Sequence, residues 1–128
     1  MKVLGFYQEL WPKSAGSPDG SIRDFVCETP EFDESDIARY LGTAYEILVF
    51  MGSVKDVLGS DKRVLGGDNI LTDGEWVWRA DLEFYLRNYH VALPAEFLAK
   101  VRESRYTVLA VERDQLLRIN EEVVCALK

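Results

Sequence analysis

The segment from residue 65 to residue 98 constrains the fold most, because turn, pairing and capping signals within it agree on one local structure. Asp73-Gly74 suits a two-residue turn that needs positive φ, and a loop of that length pairs Thr72 with Glu75, Leu71 with Trp76 and Ile70 with Val77. Leu71, Trp76 and Trp78 then share one face. Downstream, Asp81 is placed to cap a helix whose Leu82, Tyr85, Leu86 and Tyr89 lie on a common stripe. Leu93-Pro94 restarts the pattern, since proline at a first helical position sacrifices no hydrogen bond, and Phe97, Leu98 and Val101 supply the next apolar stripe. The expected structure is a hairpin followed by two short helices. It is a scaffold without chemistry of its own.

Upstream, Lys2 to Glu9 reads as a strand closed by Trp11-Pro12, suited to a sheet edge. Lys13 to Gly20 concentrates small and turn-forming residues and reads as a loop, followed by a brief extended piece over Ile22 to Cys27. Asp33-Glu34-Ser35-Asp36 offers N-cap choices and negative charge for a first turn. Ile37, Tyr40, Leu41, Ala44, Leu48 and Met51 then recur at helical spacing, with Gly52 at the C′ position. Val54, Val57 and Leu58 before Gly59 suggest another short helix, and Ser60 to Asn69 a loop. Tyr106 to Val111 suits a strand or an extended linker. In the tail, Leu116, Ile119, Val123 and Leu127 predict a final docked helix.

A chain of 128 residues, 48% hydrophobic and 29% charged, is expected to form one domain, 1–128, with one core. Strands and helices do not alternate regularly enough for a doubly wound sheet, so the expected class is α+β, helix-rich, with a small antiparallel sheet that includes the hairpin at about 70–78. No apolar run approaches the roughly 18 residues a membrane span needs, and the N-terminal run is too short for a signal-peptide core. Cys27 and Cys125 have no metal-binding or redox spacing and read as reduced, partly buried thiols. The expected compartment is the cytoplasm.

The net charge of −7 is unevenly placed. Between residues 19 and 36 stand Asp19, Asp24, Glu28, Glu31, Asp33, Glu34 and Asp36 against Arg23 alone, a local balance of −6. Such a segment repels phosphate backbones, which argues against nucleic acid and for a basic protein partner. Asp24, Glu28, Glu31, Asp33 and Glu34 are therefore the candidate partner-binding residues. The alternative is a solvated acidic face without a partner.

Catalytic signals are sparse. His90 is the only histidine, so any Ser-His-Asp, Cys-His or multi-histidine mechanism would have to use it, with a nearby acid such as Asp81. At the end of a predicted helix it is better suited to serving as a cation there or bonding the last carbonyls. Gly66-Gly67 and the glycines at 52 and 59 lack phosphate-loop spacing, and Asp68 and Asp73 lack that of a calcium loop. No cofactor or metal is indicated. Trp11, Trp76, Trp78, Phe84, Tyr85, Tyr89 and Phe97 suit core packing or an interface, and Arg79 and Arg87 are natural partners for Asp81 or Glu83.

The run from Gly5 to Pro12, the run from Leu71 to Leu82 and the run from Tyr89 to Pro94 together resemble a group of small bacterial proteins similar to the immunity proteins of polymorphic toxin systems. The resemblance spans nearly the whole chain. It implies a small, non-enzymatic cytosolic protein that binds and blocks one cognate toxin domain, and it supplies no catalytic residues. Two other readings stay open: an enzyme built on His90 and nearby carboxylates, and a module that assembles as a homo-oligomer.

Overall fold

The computed structural model describes residues 2–128. Its central sheet has the order β1-β6-β5-β2, built from β1 (Lys2–Val3), β2 (Tyr45–Leu48), β5 (Ile70–Thr72) and β6 (Trp76–Arg79). A separate two-stranded ribbon pairs β3 (Ser53–Lys55) with β4 (Arg63–Leu65). The helices are α1 (Glu34–Thr43), α2 (Asp81–Tyr89), α3 (Ala95–Glu103) and α4 (Arg113–Leu127), with 3-10 turns at Lys13–Ala15 and Ile22–Phe25. This is an α+β fold.

The hairpin is present with its register displaced by two. Ile70 faces Arg79, Leu71 faces Trp78 and Thr72 faces Val77. The reason lies in the turn. Asp73 does not take a two-residue turn; its Oδ1 accepts the backbone N–H groups of Glu75 and Trp76 at 3.0 and 2.8 Å, lengthening the loop to four residues. Gly74, at φ 98°, supplies the positive φ. A shift of two preserves facing, so Leu71, Trp76 and Trp78 still share one side. There Trp78 and Trp76 meet Phe97 of α3 edge-on, at ring-centroid distances of 5.9 and 5.7 Å, and Trp78 stacks on Tyr40 of α1 at 6.4 Å.

Ile70, Thr72 and Val77 are buried on the opposite face. Leu10, Trp11 and Leu127 approach Ile70 from that side. Coverage of both faces explains why β5 and β6 are almost continuously buried.

Several expectations are corrected. The sheet is mixed, because β1 runs parallel to β6. Only Lys2–Val3 is strand; beyond it Leu4 and Tyr7 are buried by tight turns, with Gly5 at φ 66°. β1 does occupy an edge. The piece around Ile22–Phe25 is a 3-10 turn, not extended. The helix expected to run through Met51 ends at Thr43, and Tyr45–Leu48 pairs with β5 instead. The short helix expected near Val54 is the ribbon strand β3, and β4 occupies part of the expected loop. For Tyr45–Leu48 a backbone partner distant in sequence outweighs the local apolar spacing, whereas β3 is drawn into a ribbon with the nearby β4.

Tyr106 to Val111 forms no strand, which leaves the linker of the two expected alternatives. Pro94 precedes α3 as its N-cap instead of opening it, and Asp81 begins α2 without capping it. Cys125 is exposed, contrary to the expectation of partial burial, and both thiols are free.

Candidate partner-binding surface

Helix α3 positions this surface. Its Phe97, Leu98 and Val101 are buried in the core. Arg102 pairs with the segment that precedes α1: its Nε donates to Asp33 Oδ2 at 2.9 Å and its Nη2 to Asp33 Oδ1 at 3.0 Å, a bidentate clasp. Tyr106 donates its hydroxyl to the same carboxylate at 2.6 Å. Arg105 and Tyr106, at φ 55° and 61°, turn the chain after α3, and the Tyr106 N–H returns to Val101 O at 2.9 Å. The Arg102 guanidinium beside it, supported by the Tyr106 hydroxyl, holds the Asp33 carboxyl down at about 2 despite burial.

Glu34 is also engaged. Its Oε2 lies 2.7 Å from His90 Nδ1, tying the start of α1 to the end of α2. His90 closes α2 in the left-handed region at φ 52°, with its N–H bonded to Leu86 O. Glu31 reaches Arg102 at 3.3 Å. Asp24 and Glu28 are exposed, and their carboxylates have no hydrogen-bond or ion-pair partner among the described residues. Of the five candidate carboxylates, then, Asp33 and Glu34 are held inward by internal partners, Glu31 is shared, and Asp24 and Glu28 face solvent.

Two apolar side chains emerge from the same segment. Val26 stands between anchored neighbours, since Phe25 O accepts the Ala92 N–H at 2.8 Å and the Cys27 N–H donates to Tyr89 O at 3.3 Å. With Arg23, Leu58 and Tyr89 it lines an open hollow of about 290 Å³. Phe32 stands between Glu31 and Asp33 and is 88% exposed, with the Arg102 guanidinium 5.1 Å from its ring centroid. Sequence reading identified the acids but missed both apolar residues. The available signal was a lone Val and a lone Phe within a charged stretch, which nothing distinguished from core residues.

A second exposed apolar region was also missed. Val49, Phe50, Met51 and Leu65 project from the β2–β3 connection and the ribbon, and Met51, expected on a buried helix face, is fully exposed. Phe50 borders a hollow of about 260 Å³ with Leu10, Trp11, Ile70 and Leu127.

The remaining polar clusters bind the fold together. Asp73 accepts the Tyr40 hydroxyl at 2.7 Å and lies 3.1 Å from Lys100 Nζ. Asp56 accepts the hydroxyls of Tyr89 and Ser60 and the Leu58 N–H. Arg79 forks onto Asp81 at 3.2 and 2.8 Å and also bonds Leu10 O, and Arg87 pairs with Glu83. Burial outweighs Arg79 and pushes the Asp81 carboxyl up to about 6. His90 and Asp81 lie at opposite ends of the nine-residue α2 and are not brought together. Among the described residues no group of three or more His, Cys, Asp or Glu side chains could hold a metal ion. No helix of the described residues is long and apolar enough to cross a membrane.

Comparison with protein-family models, curated proteins and solved structures finds no match to this chain.

Proposed function

We propose that this chain is a non-enzymatic, cytosolic binding protein of the immunity type, which blocks a cognate toxin domain by presenting an acidic surface to a basic one. The observation that carries this reading is the segment before α1, where the carboxylates of Asp24 and Glu28 have no partner among the described residues and Val26 and Phe32 stand exposed between anchored neighbours. Carboxylates left free in this way steer a cationic partner, and fixed apolar side chains lengthen its residence. Internal engagement of Asp33 and Glu34 supports the same reading, because it holds the surface in shape.

The test is co-expression with the toxin domain encoded beside this chain's gene, combined with association kinetics. Protection of the cell and a binding rate that falls as salt rises are expected. Replacing Asp24, Glu28 and Glu31 with Asn or Gln should slow association and flatten the salt dependence. Equal rates and slopes for wild type and variant would reduce the charge to a solvated face.

A further inference from the structure

We propose that Phe32 is the anchor side chain of this interface, held ready by Arg102 for an apolar pocket ringed with Lys or Arg on the partner. This rests on the binding reading above and names the residue and the partner chemistry it requires. An exposed aromatic ring alone carries no such meaning, since single surface hydrophobics are ordinary. Here the residues on either side are both fastened to the cation beneath the ring: Glu31 to Arg102 at 3.3 Å and Asp33 at 2.9 and 3.0 Å. The guanidinium lies 5.1 Å from the ring centroid. The ring is thus backed by a planar cation without being covered, and it remains 88% exposed. Both flanking residues are tied to α3 in the free protein, which limits the ordering that binding must supply.

Charge selects the occupant. Phe32 lies in the segment whose balance is −6, with the carboxylates of Asp24 and Glu28 unpaired among the described residues and nearby in sequence. Anionic lipid surfaces and nucleic acid are repelled by such surroundings. A protein pocket with an apolar floor and a cationic rim satisfies both the ring and the carboxylates. A second copy of this chain is a less suitable occupant: Arg79, the cation bordering its apolar hollow near Phe50, is already engaged by Asp81 and Leu10 O.

The experiment measures association and dissociation rates of the full chain with the toxin domain encoded by the adjacent gene, for wild type, Phe32→Ala and Glu28→Gln. Phe32→Ala should raise the dissociation rate roughly 10- to 50-fold, change the association rate by less than about twofold, and leave the melting temperature unchanged. Glu28→Gln should act in the opposite sense, lowering the association rate alone. Arg102→Lys, which keeps the charge but loses the bidentate clasp, should raise the dissociation rate by a smaller factor that the Phe32→Ala background abolishes. Wild-type binding with a Phe32→Ala dissociation rate within about twofold of it would overturn the anchor and leave the binding reading standing. Failure of the wild type to bind would overturn both. Self-association of the free chain that Phe32→Ala abolishes, measured by sedimentation, would assign the ring to a second copy and overturn the proposed partner.

Discussion

Helix α3 clamps two turns with two basic side chains, and the turns have opposite fates. Lys100 reaches Asp73 in the β5–β6 turn, and Arg102, two residues on, reaches Asp33 before α1. Each carboxylate is buried and each also accepts a tyrosine hydroxyl, from Tyr40 and Tyr106 respectively. The first turn is covered at Gly74, however, because Gln115 of α4 donates to Gly74 O at 2.7 Å and Val111 packs over the same glycine, leaving Glu75 exposed. The tip of the second carries Phe32 into solvent. One device therefore serves two ends. Where the turn is covered it consolidates the core, and where it is bare it fixes a surface residue in place at the cost of its burial.

Five substitutions bear on this comparison. Asp73→Ala should have the largest effect, because it strands two backbone N–H groups and the Tyr40 hydroxyl at once and leaves Lys100 with Glu75 alone; a loss of about 3–5 kcal/mol in denaturant unfolding is expected. A loss below about 1 kcal/mol would mean that the β5–β6 turn stands without its carboxylate. Gly74→Val follows, at about 3 kcal/mol: the backbone at φ 98° strains a β-branched residue, and an added Cβ would meet Val111 Cγ2 at 2.8 Å. An unchanged denaturation midpoint would show that the covered turn is plastic.

Asp33→Asn should cost about 1–2 kcal/mol at neutral pH once solvent screening of its partner is allowed for. The pH dependence carries the sign. The folded carboxyl titrates at about 2 and an ordinary Asp near 3.8, so its contribution is present above pH 4 and is lost as pH falls toward 2. Stability of the wild type should fall across that interval more steeply than that of the variant. Parallel profiles would detach Asp33 from Arg102.

His90→Gln keeps hydrogen-bonding capacity toward Glu34 while deleting the imidazole, and should change stability by less than about 1 kcal/mol with protection of cells intact. A folded variant that had lost a measurable turnover would favour the enzyme reading. The smallest effect on stability is expected for Phe32→Ala, below about 0.5 kcal/mol, because the ring is bare. A larger loss in thermal or denaturant unfolding would make Phe32 part of the scaffold and erase the contrast between the two turns.

Legibility in the sequence followed the range of the interactions concerned. The stripes Leu82-Tyr85-Leu86 and Phe97-Leu98-Val101 were readable because helix period and burial coincide over adjacent turns. Leu48 and Met51 fitted the same periodicity and were misassigned, since Tyr45–Leu48 finds its backbone partner in β5, more than twenty residues away. The acidic segment was visible as a count of charges. Its division into engaged and free carboxylates was not, because Arg102, Tyr106 and His90 come from residues far along the chain.

By itself the sequence determined the class of fold, the helices of the second half and the shared face of Leu71, Trp76 and Trp78, all set by local backbone preference and side-chain alternation. Only the tertiary structure decided the hairpin register, the parallel seating of β1 and the exposure of Phe32. The register turns on two N–H groups that Asp73 captures within its own loop, while the other two depend on which distant groups satisfy a buried carboxylate or an open strand edge, and a hydrogen bond between Asp33 and Arg102 leaves no periodic trace in the 68 residues that separate them.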